Sequence, residues 1–259
     1  MTLVWLDDLR LNADLSGPAT AQPVVLIHGL GLDARVWQAL MPALGGHRVL
    51  RLDLRGHGRS DTPKPPFAMG ALVRDVERLI DHFGLTGTVV LGAGEGGLIA
   101  QGLAAKRLDL VRGLVLTGSA TRFANPSIWQ ARLARLRDAG PDLEADCAAL
   151  LGPRWRQSPA LAEVRAMLET TRPDGWIGLA TAVATADFYQ TTASLRLPTL
   201  VLAGGDDRRT PPDLQRELAD LVPGADFRLI RGGGHLAMLT HTAAFSEPLL
   251  DFLGRIGHR

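Results

Sequence analysis

The chain has 259 residues, of which 46% are hydrophobic and 21% charged, and its 28 Lys and Arg residues nearly balance 27 Asp and Glu residues to give a formal net charge of +1. This composition is typical of a globular protein, and it argues against a dedicated binder of nucleic acid, which needs an excess of basic residues to neutralise phosphates. The single cysteine, Cys147, excludes an intramolecular disulfide framework and a metal site built from several cysteines.

The first residues indicate neither secretion nor a membrane anchor. Asp7 and Asp8 lie where a secretory signal would carry positive charge, and the segment Met1–Arg10 is typical of a strand. No stretch reaches the roughly 18 consecutive apolar residues that a membrane span requires. We therefore predict a cytoplasmic protein without a membrane partner.

Short runs rich in Val, Leu and Ile alternate along the chain with segments of helical spacing. Continuous apolar runs are typical of strands buried on both faces of a parallel sheet, and their alternation with helices favours an open α/β sheet. In chain order the predicted strands are Val24–Ile27, Val49–Leu54, Thr88–Leu91, Gly113–Leu116, Leu200–Ala203 and Asp226–Ile230. The predicted helices of this α/β part are Val36–Leu44, Met69–Phe83, Gly97–Arg107, Pro212–Leu221 and Thr242–Arg255.

From about Phe123 to Leu195 the alternation stops, and only helical spacing remains. The predicted helices in this stretch are Ser127–Arg137, Leu143–Leu151, Leu161–Thr170 and Trp176–Thr185. We predict that residues 123–195 form a helical cap, inserted into an α/β core made of residues 1–122 and 196–259.

Polar residues follow several of the predicted strands, and in open α/β sheets ligands bind beyond the carboxyl ends of the strands. The Gly-rich turn His28–Gly31 can point backbone N–H groups into a pocket, although a plain tight turn has the same composition. Asp207 and His235 follow two later strands, in the order expected for the last two members of a Ser, Asp, His series.

The glycines of the segment Gly92–Gly97 allow two interpretations. Gly92, Gly94 and Gly97 fit the dinucleotide fingerprint GxGxxG, but the unit comes late in the chain and no acidic residue lies near Arg112, where one is expected. Gly92 and Gly96 also fit the nucleophile elbow GxSxG, in which position 94 forms the tip of a strand-to-helix turn. The elbow is the favoured interpretation, although residue 94 is glycine.

In these motifs the chain resembles the α/β-hydrolase superfamily, and within it the 3-oxoadipate enol-lactonases and related esterases. The resemblance rests on His28–Gly31, Asp53–Asp61, Gly96–Ala104, Asp207 with Thr210–Pro211, and Gly234–Leu236. It implies an α/β-hydrolase fold, in which a mostly parallel sheet is flanked by helices and carries an inserted helical cap.

The resemblance also implies a role for each motif residue. Asp207 orients His235, which serves as general base and later as acid, while the N–H groups of Leu30 and Glu95 form the oxyanion hole. The side chain of Glu95 is expected to point away from the reacting centre. The family's serine corresponds to Gly94, which has no side chain with which to form an acyl-enzyme.

Three residues are predicted to contact a substrate. Trp129 and Arg132 fall in the cap, where an aromatic ring forms a wall and a guanidinium binds a carboxylate, although large cap residues are more often core and arginines more often exposed. Ser119 follows a different strand from the elbow, so it is expected in the pocket wall or a loop and not as a nucleophile. Trp155 and Trp176 are further candidates for the wall.

Three functions stay open for such a chain. It can hydrolyse an ester or lactone with water activated by His235, or act without a covalent intermediate; it can be a non-catalytic binder; or it can be an active lactonase or esterase inactivated by a Ser-to-Gly change. The expected partner is a small-molecule ester, lactone or carboxylate. We expect no cofactor and no metal, because His57 and His241 lack partners at ligand spacing.

Overall fold

The computed structural model describes residues 1–123 and 126–258, without the side chains of Pro126 and Trp155. Its strands are β1 (Thr2–Leu6), β2 (Leu9–Ser16), β3 (Pro23–Ile27), β4 (Arg48–Leu52), β5 (Thr88–Ala93), β6 (Val111–Thr117), β7 (Thr199–Gly204) and β8 (Asp226–Ile230). They form one sheet in the order β1-β2-β4-β3-β5-β6-β7-β8. The pairs β1–β2 and β2–β4 are antiparallel, and all the other pairs are parallel.

The helices pack around this sheet, and in the sequence they lie between its strands and after the last strand. They are α1 (Met69–His82), α2 (Glu95–Lys106), α3 (Pro126–Asp138), α4 (Leu143–Leu151), α5 (Leu161–Thr170), α6 (Pro173–Ala184), α7 (Tyr189–Ser194), α8 (Pro212–Leu221), α9 (Ala237–Thr240) and α10 (Thr242–Arg255). Two 3₁₀ helices cover Ala34–Leu40 and Trp155–Gln157.

The middle of the sheet is the core of the protein, as the apolar runs predict. Every residue of β5 and β7 is buried, because helices cover both faces of the parallel strands. The carboxyl ends of β3, β5, β6, β7 and β8 therefore open onto the same edge of the sheet, which is where the loops with candidate chemistry lie. The α/β-hydrolase fold expected from the resemblance is confirmed.

Local differences from the sequence-based elements have physical reasons. β2 was not predicted; its apolar residues alternate with polar ones, because this antiparallel strand near the sheet edge is only half covered. The predicted helix Val36–Leu44 is instead a 3₁₀ helix over Ala34–Leu40, tightened at its start by the Asp33 carboxylate, which accepts a hydrogen bond from the N–H of Arg35 at 2.9 Å. The short helices α7 and α9 were also not predicted.

Helices α3–α7, which we call the inserted helical segment (residues 126–194), connect β6 to β7. Hydrogen bonds attach it to loops at the carboxyl edge of the sheet. The N–H of Leu236 donates to the carbonyl of Leu150 at 3.1 Å, and the Thr171 hydroxyl donates to the carbonyl of Gly31 at 3.2 Å. The segment thus lies over the loops that follow β3 and β8. None of the helices in the described part of the chain is long and apolar enough to span a bilayer.

Candidate active site

The turn between β5 and α2 has the backbone of a nucleophile elbow. Gly94 has φ +55° and ψ −126°, a conformation in which any other residue is strained, and its N–H donates to the carbonyl of Thr117 at 2.9 Å. The flanking glycines are needed for close packing: a Cβ on Gly92 would lie 2.5 Å from the Gly96 oxygen, and one on Gly96 would lie 2.3 Å from the Ile27 oxygen. These contacts explain the GxGxG pattern without any dinucleotide.

His235 and Asp207 meet beside this turn. The Nδ1 atom of His235 lies 2.9 Å from Oδ2 of Asp207, and both side chains are almost completely buried. Asp207 is held in turn, since its Oδ1 accepts hydrogen bonds from the N–H groups of Arg209 and Thr210, each at 2.9 Å. Because the carboxylate accepts the Nδ1 proton, Nε2 is left as the basic nitrogen of a neutral ring.

The basic nitrogen of His235 faces the place where a side chain at position 94 would begin. A Cβ built on Gly94 would lie 3.1 Å from Nε2, with only the Cα of Gly29 and Cε1 of His235 also within 4 Å. Gly118 is required on the other side of the ring, because a Cβ there would lie 2.7 Å from Cε1 of His235. His235 and Asp207 are therefore placed beside the position that a side chain on residue 94 would occupy, and Gly94 itself provides no side chain there.

The predicted oxyanion donors lie next to a buried carboxylate. The N–H of Leu30 donates to Oε2 of Glu95 at 2.8 Å, while Oε1 of Glu95 forms an ion pair with Nη2 of Arg209. The Glu95 side chain was expected to point away from the reacting centre, and this expectation was wrong: the carboxylate folds back onto the Gly29–Leu30 turn. The attraction of Arg209 explains this position, because an unpaired carboxylate at such depth would be costly.

The charge of Glu95 is stabilised by its surroundings. Burial alone would raise its pKa, but the attraction of Arg209 and the hydrogen bond from Leu30 outweigh burial and lower the pKa to about 2. Glu95 is therefore an anion at any physiological pH, directly in front of the Leu30 N–H. The role of the Leu30 and Glu95 N–H groups as an oxyanion hole stays a prediction.

One histidine is hydrogen-bonded within the loop that carries Leu30, and a second packs beside it. His28 donates from Nδ1 to the carbonyl of Gly29 at 2.8 Å and accepts at Nε2 from the N–H of Leu54 at 2.9 Å. The ring of His57 lies 5.4 Å from that of His28, and burial, together with the nearby His28, lowers the pKa of His57 to about 3. Both rings are fully buried; His28 joins the Gly29 carbonyl to the Leu54 N–H, while His57 donates to the Arg55 carbonyl at 3.1 Å.

The family model for the alpha/beta hydrolase fold matches residues 22–242, which include the elbow, Asp207 and His235. The chain belongs to the α/β-hydrolase family. It is 31% identical to the "Putative carbamate hydrolase RutD" of Variovorax paradoxus over 96% of this chain and 97% of that protein.

Two further α/β-hydrolases match over almost their whole length. The chain is 28% identical to 3-oxoadipate enol-lactonase 2 of Acinetobacter baylyi, over 93% of this chain and 92% of that protein. The crystal structure of the enol-lactonase from Burkholderia xenovorans is similar with a TM-score of 0.93 at 28% identity, covering 98% of this chain and all of that one. The α/β-hydrolase fold of this chain is thus shared with lactonases from end to end.

The predicted substrate-contact residues of this α/β-hydrolase lie in different surroundings. Arg132 pairs with Asp146 at 3.0 Å, and burial, together with repulsion from Arg209, lowers the pKa of Arg132 to about 10. The indole of Trp129 is buried beside Arg132, 5.3 Å from its guanidinium carbon. Their contact with a substrate stays a prediction.

The other candidates for the pocket wall are also placed. Ser119 is fully buried against the first turn of α2, since a Cβ on Gly97 would lie 2.2 Å from its Oγ. Trp176 packs directly on the turn after β3, where a Cβ on Gly31 would lie 2.3 Å from its ring. The side chain of Trp155 lies outside the described residues.

Arg209 is the residue of the site that the sequence did not single out. It follows Asp207 by two positions, and its neighbour Arg208 is exposed whereas the Arg209 side chain is only 9% exposed. Sequence alone does not tell which of two adjacent arginines turns inward. If burial of the Glu95 carboxylate had been predicted, a nearby cation could have been predicted too, because a buried carboxylate is stabilised by pairing with a positive charge. Across the described residues, no group of three or more His, Cys, Asp or Glu side chains is arranged to hold a metal ion.

Proposed function

We propose that this α/β-hydrolase cleaves an ester or lactone bond of a small molecule with a water molecule activated by His235, without an acyl-enzyme. The observation that carries the proposal is the intact dyad: Nδ1 of His235 is held by Asp207 at 2.9 Å, and Nε2 faces the space above Gly94 at 3.1 Å from the Cβ position. The relatives named as enol-lactonase and esterase support the bond type.

The proposed reaction uses the space that a serine side chain would fill. A water molecule there lies within reach of Nε2, which removes its proton as the oxygen attacks the carbonyl carbon, and Asp207 stabilises the imidazolium that forms. His235 then returns this proton to the leaving oxygen as the ester or lactone C–O bond breaks, which leaves the carboxylic acid and the alcohol or enol as products. The carbonyl oxygen would accept hydrogen bonds from the N–H groups of Leu30 and Glu95. This last step requires that the Glu95 carboxylate leaves the Leu30 N–H.

The turnover expected from this mechanism is slow. Hydrolases that lose the nucleophile keep a rate of about 10³ to 10⁴ over water through binding and the oxyanion hole. A reactive substrate such as an enol-lactone suits such a catalyst better than an unactivated ester.

We also propose, in agreement with the sequence, that residues 123–195 act as a cap over the core of residues 1–122 and 196–259. The cytoplasmic location stays a prediction.

The test is hydrolysis of an enol-lactone and of p-nitrophenyl acetate by the wild type and by His235→Ala. We expect the variant to lose the turnover, whereas His82→Ala, which removes an exposed histidine at the end of α1, leaves it unchanged. Equal rates in the wild type and His235→Ala would refute the role of His235.

A non-catalytic binder is the second candidate, and the position of Glu95 favours it. The carboxylate occupies the Leu30 N–H, and Gly94 and His235 are both buried. This function predicts saturable binding of a small acid or lactone by calorimetry with no product formed. Detectable turnover that depends on His235 would exclude it.

A further inference from the structure

The Glu95 carboxylate is a buried anion placed directly after the elbow. Its Oε2 lies 2.8 Å from the Leu30 nitrogen, and it would lie 2.8 Å from a Cβ on Gly29, so the carboxylate rests against the Gly29–Leu30 turn. Arg209 holds the other oxygen, and its own side chain is only 9% exposed. One backbone N–H and one buried guanidinium thus converge on a single carboxylate.

A second arginine, Arg132, also attracts the Glu95 carboxylate. Arg132, on the inserted helical segment, is close enough that its charge also lowers the pKa of Glu95. The Nε of Arg132 is buried without a hydrogen-bond partner among the described residues, and so is Oδ2 of its partner Asp146. Arg132 is therefore a second buried cation whose Nε–H has no acceptor among the described residues.

We propose that the Leu30 N–H and the Arg209 guanidinium form a binding site for the carboxylate of a small-molecule ligand, and that Glu95 fills this site in the ligand-free protein. Ligand binding is then an exchange of one carboxylate for another on the same two donors. The proposal does not depend on catalysis, since it holds for a hydrolase and for a binder. Arg209 is a binding residue in this scheme, and Glu95 is an intramolecular competitor.

The chemistry of the site favours a carboxylate over a neutral group. Removing Glu95 leaves the Arg209 charge buried and unpaired, which is strongly unfavourable until another anion replaces it. The change Glu95→Ala deletes the side chain beyond Cβ, which amounts to the atoms of one acetate ion. Acetate therefore restores both the volume and the charge, whereas acetamide restores only the volume.

The experiment measures acetate and acetamide binding to folded Glu95→Ala by calorimetry, and thermal unfolding with each at constant ionic strength. We expect acetate to bind at least about tenfold more tightly than acetamide, as a charge-assisted pair on Arg209 implies. The double variant Glu95→Ala with Arg209→Met should lose this preference. Glu77→Ala, which deletes a glutamate paired with Lys106 and Arg107 outside the site, should show no preference.

Three results would overturn the proposal. The first is equal binding of acetate and acetamide to Glu95→Ala, and the second is a preference that survives Arg209→Met. The third is stabilisation by acetate only when it is present during refolding, because the pair would then be sealed inside the protein. If Glu95→Ala does not fold without acetate, Glu95→Gln is the second variant, because its amide keeps the volume without the charge. Acetate binding that is tighter to Glu95→Gln than to the wild type supports the exchange. Equal acetate binding to the two proteins contradicts it.

Discussion

The substitution Gly94→Ser tests whether the rest of the hydrolytic machinery is in place, and the structure sets its cost. A side chain at φ +55° and ψ −126° strains the backbone by about 1 to 3 kcal/mol. The new Cβ would lie 3.1 Å from Nε2 of His235, so the imidazole must move by a few tenths of an ångström, while the Gly29 Cα at 3.7 Å is in ordinary contact. We therefore expect a folded protein that is less stable by about 1 to 3 kcal/mol in urea unfolding.

The gain in activity depends on the nucleophile that the serine adds and on the oxyanion donor, the Leu30 N–H, that Glu95 occupies. In a complete triad the nucleophile is worth about 10⁶ in kcat, and one lost oxyanion donor costs about 10² to 10³. With the Leu30 N–H occupied, Gly94→Ser should exceed the matched control Gly94→Ala by about 10³ to 10⁴ in kcat on p-nitrophenyl acetate, with a burst of nitrophenol. The control has the same Cβ and the same strain but no hydroxyl group. If both variants fold and hydrolyse the ester at the same rate, our view of the dyad as a competent base is refuted.

Two further predictions concern groups whose pKa values the structure shifts. Because the pKa of folded Glu95 is about 2 instead of the ordinary 4.5, its ionisation stabilises the protein above pH 4.5, and this stabilisation is lost as the pH falls towards 2. We expect Glu95→Gln to remove about 2 kcal/mol of the change in unfolding free energy between pH 3 and 6, measured by urea unfolding. Parallel curves for the wild type and the variant would contradict the assignment. Cys147 is fully buried in α4, and burial raises the pKa of its thiol, so an aromatic disulfide reagent should label the native protein at least about 100 times more slowly than the unfolded one, and similar rates would show that the packing around α4 is open.

The sequence predicted the fold well where one physical rule governs an element. Strands such as β5 and β7 are buried on both faces, so their apolar runs are continuous and visible. The helix α8 could be bounded from Pro212 to Leu221, because proline begins it and its apolar residues repeat at helical spacing. β2 was missed because a half-covered antiparallel strand has a weaker pattern, and the 3₁₀ helix at Ala34–Leu40 was mistaken for an α-helix because both share apolar spacing.

The candidate site could be predicted only as far as its motifs reach. Asp207 and His235 were named from their positions after strands, and the structure brings their side chains to 2.9 Å. The Glu95–Arg209 pair was missed, because it joins a helix start to a loop 114 positions further along the chain, and no local pattern reports such a contact. The direction of the Glu95 side chain depends on Arg209, which is distant in the sequence, so this direction could not be predicted from residue spacing.

Two adjacent residues of the elbow, Gly94 and Glu95, affect the same centre in complementary ways. In a buried pocket without a ligand, the Leu30 N–H would be unpaired, which costs about 1 to 3 kcal/mol, and Glu95 satisfies it with a charged acceptor. Arg209 then compensates the buried charge. A ligand oxygen that displaces Glu95 must replace a hydrogen bond and an ion pair together, so an anionic oxygen competes far better than a neutral ester carbonyl. The two proposals therefore make opposite demands on the Leu30 N–H: a ligand carboxylate paired with Arg209 keeps this donor occupied, whereas hydrolysis requires that the donor is free for the carbonyl oxygen that the water beside His235 attacks.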